Sequence, residues 1–314
     1  MAVYEPDMVA ELISENKTGV TESNPLVGYG FALIATAIWS FNFIVARVLA
    51  DTVPPVTLAF LRWTIAAIFL IPFGTRPFFQ DFHVIRAHLI YLCVTAFLLV
   101  TVFNTLIYIA AHSSKAVSLS LIAAASPIFT ILFAYLFLKA PLGLRKIAGL
   151  LAATTGVALL VTRGELSTLA SMTFSEGDAW MMLAAAVFGI YNILVRLKPP
   201  KLGSVAFLTS TLLLGLLFLI PWVAWELSGG VTINLSSTAI MAITYLGIGP
   251  SLIAFLCWNK AIMLVGPVRS AFAYYSLPVF CAIEGLILLG EPVTHTDIFS
   301  GALILLGVII ANRN

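Results

Sequence analysis

Charge is scarce in this chain of 314 residues, where Asp, Glu, Lys and Arg together make up 10%. A soluble globular domain carries about 25%, so a water-facing shell around a conventional core is excluded. Cysteine is scarcer still. Cys93, Cys257 and Cys281 all fall inside apolar stretches, which excludes a disulfide framework and metal-ligand spacing and leaves each as a small hydrophobe. The net charge of +2, with no block of Lys or Arg, gives no electrostatic footprint for nucleic acid. Catalytic patterns are missing as well: there is no His-Glu-x-x-His, no Gly-x-Ser-x-Gly and no phosphate-cradling glycine loop. No cofactor and no metal are therefore expected, and a multi-spanning membrane enzyme stands as a distant alternative. Nor does a filter motif or an amphipathic pore helix suggest a channel.

What is abundant is hydrocarbon. Hydrophobic residues make up 61% of the chain against about 45–50% in soluble domains, and they gather in long runs. About 20 residues at a rise of about 1.5 Å cross a bilayer core of about 30 Å. Ten segments meet that length, approximately residues 27–49, 56–74, 88–110, 114–139, 144–162, 178–197, 203–225, 238–260, 266–289 and 297–312. The spacing predicts an all-α integral membrane protein with ten transmembrane helices. Residues 1–26 are acidic apart from Lys17 and hold no apolar core for a signal peptide, so they are expected to form a disordered cytoplasmic tail. With that tail inside, Lys17, Arg76, Arg86, Lys139, Arg145, Lys146, Arg196, Lys198, Lys201, Lys260, Arg269 and Arg313 fall on the cytoplasmic side. Only Arg47, Lys115 and Arg163 fall outside, and Arg62 lies within a helix. This sorting is what the positive-inside rule requires; it predicts a multi-pass protein of the cytoplasmic (inner) membrane with both termini cytoplasmic.

The chain also repeats itself. Adding 149 carries Ile71-Pro72-Phe73 onto Ile220-Pro221-Trp222 and Ala37-Ile38-Trp39 onto Ala186-Val187-Phe188, while adding 151 carries Pro127 onto Pro278 and Gly156 onto Gly307. Residues 27–163 and 178–314 are thus expected to be two five-helix repeats, with 164–177 as a polar linker. An odd number of crossings inserts the second repeat upside down relative to the first. Inverted repeats of this kind build many secondary transporters, whose substrate site lies between the halves near the midplane.

Candidate site residues follow from polarity at bilayer depth. Pro127 and Pro278 lie near mid-span of the fourth and ninth segments, and Pro250 lies in Gly247-Ile248-Gly249-Pro250 of the eighth, which has no counterpart in the third. Each proline alone reads as a packing kink; the equivalence of the first two favours a hinge or a cavity-lining break. Around these breaks fall Trp39, Asn42, Asn104, Tyr108 and Ser126 in the first half, and Tyr191, Asn192, Trp258, Tyr274, Tyr275 and Ser276 in the second. Any one of them can simply bond a neighbouring helix; together they describe a mixed aromatic and amide surface suited to a small polar or zwitterionic solute. Two ionisable residues lie within helices. Arg62 is near enough to a helix end to snorkel. Glu284 is too short to do so, and either bonds structurally, pairs with a basic residue, is protonated, or binds a cationic group. Arg62 and Glu284 are the candidates for coupling or charge recognition, with protons as a possible coupling ion. The glycines of the fifth and tenth segments fit contacts within the bundle or between protomers, leaving a monomer or a homodimer.

Ala-Ile-Trp-Ser-Phe-Asn at 37–42, Phe-Leu-Arg at 60–62, Asn-Thr-Leu-Ile-Tyr-Ile-Ala at 104–110 and Ala-Ala-Ala-Ser-Pro-Ile at 123–128 carry a family resemblance. So do Cys-Trp-Asn-Lys-Ala at 257–261, Ser-Leu-Pro-Val-Phe at 276–280 and Leu-Gly-Glu-Pro at 289–292. In these motifs and their order the chain resembles the EamA-type branch of the drug/metabolite transporter superfamily over about residues 27–312. The resemblance implies a basket in which helices one, three, four, six, eight and nine surround a central cavity, with five and ten peripheral. It also implies export of amino acids, their relatives, or other small metabolites or drugs. Related branches carry nucleotide sugars or phosphorylated sugars. One departure is visible: where the family often has Glu after the fourth helix, this chain reads Leu138-Lys139-Ala140-Pro141, whereas Glu291 is present in the second half. The expected function is a secondary transporter in the lipid bilayer that exports amino acids or related compounds. The alternative is an importer of a nucleoside-like or sulfonium metabolite such as S-adenosylmethionine.

Overall fold

The computed structural model describes residues 25–49, 52–114, 119, 122–162, 164, 165, 167, 175–230, 233, 235–284, 287 and 294–312. Most of the expected tail and linker, the Arg47 side chain, Lys115, Glu291 and Arg313 lie outside them. Among the described residues the regular structure is all helical. Helices α1 (Pro25–Leu49) and α2 (Pro55–Gln80) are followed by the short α3 (Phe82–Ala87). The third crossing comprises α4 (Leu89–Ala96), a π-helical segment (Phe97–Phe103) and α5 (Asn104–Ser113), and α6 (Ser126–Leu138) and α7 (Leu144–Val161) follow. The second repeat runs through α8 (Glu176–Arg196) and α9 (Ser204–Ser228). Its eighth crossing comprises α10 (Ser237–Leu246), a second π-helical segment (Gly247–Ile253) and α11 (Ala254–Val265), and α12 (Pro267–Tyr274), α13 (Leu277–Glu284) and α14 (His295–Asn312) complete it. Each of the ten expected segments contains helix, and seven helical spans are long and apolar enough to cross a membrane.

The repeat extends to irregular backbone. The two π-helical segments are 150 residues apart at both ends, and α7 and α14 are 151 apart at both ends. The eighth crossing therefore does have a counterpart in the third, contrary to the expectation from sequence, although Phe97–Phe103 contains neither glycine nor proline. A π turn leaves a backbone carbonyl without its usual partner. Side chains take it up in both repeats: Asn104 Nδ2 donates to the Leu99 carbonyl at 2.8 Å and Ser251 Oγ donates to the Leu246 carbonyl at 2.6 Å.

Prolines act differently along the chain. Pro127 and Pro278 stand in the first turn of α6 and α13, where a missing N–H costs nothing because it would have no partner there. Each starts a helix after a short turn, Ala124-Ala125 in one repeat and Tyr275-Ser276 in the other. In α2, by contrast, the helix runs through Pro72 and Pro77 to Gln80, past the expected end at residue 74. Packing holds it there: Gly74 lies so close to Thr209 of α9 that a β-carbon would collide.

The halves interlock. The main partner of α1 is α11, α8 packs on α5 and α6, α2 on α9, and α7 on α14, so each of these pairings joins opposite repeats. The α7–α14 contact is made of backbone: a β-carbon on Gly149 would meet the Gly307 carbonyl at 2.5 Å and one on Gly307 would meet the Ala153 amide at 2.6 Å. Small residues permit such approach in lipid, where dispersion and close packing replace the hydrophobic drive. These glycines thus serve contacts inside one chain. At the start of the second repeat, Ser175 and Asp178 cap α8 reciprocally, and Ser114 donates to the same carboxylate, tying the end of α5 to it. The outside of the bundle is apolar, with Phe73 77% and Ile90 67% exposed. Water would not tolerate such a surface, and lipid covers it.

Candidate functional site

A small cavity lies at the interface of the repeats, between α1, α2, the end of the first π-helical segment, α5, α8, α11 and α12. Trp39, Asn42, Arg62, Phe103, Asn104 and Ile107 line it from the first repeat; Phe188, Phe255 and Tyr274 line it from the second. Its volume is about 20 Å³, room for about one water, so a metabolite would require the walls to part.

Aromatic rings form most of the enclosure. The Trp39 ring centroid lies 5.0 Å from Phe255, 5.2 Å from Trp258, 5.7 Å from Phe188 and 6.1 Å from Tyr274. Phe103 stacks on Phe188 at 4.9 Å. Edge-to-face and stacked pairs at these distances are favourable and hold the rings in definite orientations. The Trp39 indole donates to the Pro250 carbonyl at 3.0 Å, which couples α1 to the second π-helical segment.

Polar groups around the cavity form two sets. On the second-repeat side Tyr191 OH donates to Asn259 Oδ1 at 2.7 Å, Trp258 Nε1 donates to Asn192 Oδ1 at 2.8 Å, and Asn192 Nδ2 donates to Thr130 Oγ1 at 3.0 Å. That chain ties α8 to α6 and α11, although Asn259 Nδ2 is left without a partner. On the first-repeat side, Asn42 is 6% exposed and its Oδ1 has no hydrogen-bond partner. An amide oxygen buried in this way costs about 1–3 kcal/mol. Arg62 does not snorkel: it is 2% exposed, with Nε donating to Ser251 Oγ at 2.6 Å and Nη1 donating to Tyr108 OH at 2.5 Å.

Other sequence candidates are placed elsewhere. Tyr275 turns away from the cavity to meet Thr154 Oγ1 of α7 at 3.2 Å and packs in a second cluster with Phe272 and Ile304. Ser276 Oγ donates to the Ala273 carbonyl and Ser126 accepts on its carbonyl from Thr130, both local helix contacts. Glu284 lies beside α1, where Ser40 Oγ is 2.7 Å from its Oε1; its Oε2 is buried without a partner. Sequence reasoning did not single out Phe103, Ile107, Phe188 or Phe255. Phe188 carried a signal in its repeat equivalence to Trp39; Phe103 carried none, being one of 22 phenylalanines.

Comparison with known proteins places this architecture. The model of the EamA-like transporter family matches residues 26–162 and 175–313, one match on each repeat. A protein of Streptantibioticus cattleyicolor named "Probable terminal-alkyne amino-acid exporter" is 27% identical over 290 residues, covering 90% of this chain and 93% of its own. An uncharacterized transporter of Archaeoglobus fulgidus is 26% identical, covering 87% of this chain and 93% of its own. A solved crystal structure, 20% identical, superposes with a TM-score of 0.68 over 91% of this chain and 96% of that one, which shows a shared fold.

Proposed function

The chain belongs to the EamA-like transporter family, and from that membership we propose that it exports amino acids or related small metabolites by alternating access. The observation that carries this reading is the small cavity at the repeat interface, with aromatic walls and an unpartnered amide oxygen. A small solute with one polar end and one organic end suits such walls. The name of the Streptantibioticus relative supports an amino acid as that solute. The π-helical segments and the turns before Pro127 and Pro278 are the hinges, because they are where the backbone departs from α-helix in matching places of both repeats. Catalysis has no part in this function.

Glu284 is the coupling group. Ser40 Oγ lies 2.6 Å from the Ala37 carbonyl and 2.7 Å from Glu284 Oε1, yet a hydroxyl has one proton to give. A proton on Glu284, donated to Ser40 while Ser40 donates to Ala37, satisfies both contacts and describes a proton-loaded state. Glu284→Gln should therefore retain solute exchange and lose accumulation driven by a pH gradient; unimpaired gradient-driven accumulation would retire the role.

The test is solute exchange in proteoliposomes of the purified protein. Labelled amino acids are expected to exchange unaltered across the membrane. Exchange of nucleosides or S-adenosylmethionine in their place would favour the importer reading, which the same aromatic walls admit, and chemical alteration of the label would indicate an enzyme. A reporter fused at Asn314 is expected on the cytoplasmic side; an external reporter would contradict the proposed orientation.

A further inference from the structure

Arg62 is a cation at bilayer depth, 2% exposed, held by neutral hydroxyls. No carboxylate among the described residues pairs with it: Asp178 is engaged by Ser114 and Ser175, and Glu284 by Ser40 of α1. Taking an ion out of water costs several kcal/mol, and only a counter-charge or strong hydrogen bonds repay it. As a cross-link between α2, α5 and the second π-helical segment, a neutral side chain would serve at lower cost. The guanidinium has five N–H donors in a planar fork, of which the Ser251 and Tyr108 contacts take one each. Its position is fixed without being neutralised. The Ser251 hydroxyl spends its own proton on the Leu246 carbonyl, so it meets Arg62 as an acceptor, and the Trp63 and Tyr108 rings flank the guanidinium at 5.6 and 5.8 Å. Arg62 also lines the cavity, together with Asn42, whose orphaned Oδ1 is an acceptor in want of a donor.

We propose that Arg62 anchors the carboxylate of the transported solute and Asn42 Oδ1 receives its ammonium group, so that the first repeat carries a zwitterion site facing the aromatic wall. This deepens the amino-acid reading and rests on it. The three N–H donors that remain, both on Nη2 among them, can meet the oxygens of a carboxylate, and the aromatic rings accept both the ammonium face and an apolar side chain. Because Arg62 is bonded to Ser251, filling the anchor also acts on the second π-helical segment, which links occupancy to the element proposed to flex.

The experiment uses the full chain in liposomes loaded with labelled L-phenylalanine, L-leucine or L-methionine, with the free acid, its amide and the decarboxylated amine as external competitors. In the native protein the acid should compete at least about tenfold better than the amide, the size expected when a charged hydrogen-bond partner is lost. In Arg62→Gln that preference should disappear. Should Arg62→Gln fail to fold, Arg62→Lys keeps a charge without the fork and should weaken competition by the acid about tenfold while leaving the amide unchanged. Exchange in which acid and amide compete equally in the native protein overturns the anchor and leaves the exporter reading standing. So does an unchanged acid preference in Arg62→Gln, or native affinity for the acid in Arg62→Lys. Exchange of none of the amino acids overturns both.

Discussion

Asn42 of the first repeat and Asn192 of the second are both buried amides, yet their side chains live differently. Asn192 is engaged at both ends, its Nδ2 donating to Thr130 and its oxygen accepting from Trp258. Asn42 faces the cavity with an oxygen that nothing meets. Trp39 and Phe188, which the repeat does align, also diverge: both are walls, but only the indole reaches across to the Pro250 carbonyl. The two halves have diverged, so that one amide serves as scaffold while the other stays available. The first repeat contributes the charge and the unpartnered oxygen, and the second contributes a rigid polar network behind an aromatic face. A site that must bind and release needs that asymmetry, since groups satisfied by the protein have nothing left to offer a ligand.

Substitutions can break or sharpen this contrast. Trp39→Ala should have the largest effect, costing about 3–5 kcal/mol as a large ring leaves the core and abolishing exchange; thermal unfolding of the purified protein and liposome flux measure the two losses. Asn192→Ala should cost about 1–3 kcal/mol by stranding the Trp258 indole, seen as a lowered melting temperature; an unchanged melting temperature would mean that the second-repeat network is not scaffold. Tyr275→Phe should cost about 1 kcal/mol through the lost contact with Thr154 and leave the apparent affinity for solute intact, because its ring belongs to the α7 side. Asn42→Ala should barely change stability, since it removes an oxygen without a partner, so a fall as large as that of Asn192→Ala would erase the distinction between the repeats.

Much of the fold was legible because lipid imposes simple rules. Membrane-length apolar runs, sorted charges and a near-constant repeat offset anticipate ten helical segments in two units. The π-helical segment at Phe97–Phe103 was hidden, since an unbroken apolar run gives no local sign of a register change; the partner is Asn104, whose amide reads equally well as a ligand contact. Arg62 was legible as an ionisable residue in a helix, but its direction was not, because Tyr108 and Ser251 come from distant crossings. Tyr274 and Tyr275 are adjacent and alike, and the turn between α12 and α13 decides that one faces the cavity and the other α7. Polarity at depth picked out several residues that line the cavity, whereas the phenylalanines of its wall could be found only by packing.

The central claim is that the first-repeat face of the cavity holds the solute. Its most direct test is the concentration dependence of amino-acid exchange in liposomes containing Asn42→Ala, compared with native protein and Tyr275→Phe at a temperature where all three are folded. The account predicts about tenfold weaker apparent affinity for Asn42→Ala, the loss of one hydrogen bond to a charged group, with Tyr275→Phe matching the native protein. Native affinity in Asn42→Ala would contradict it.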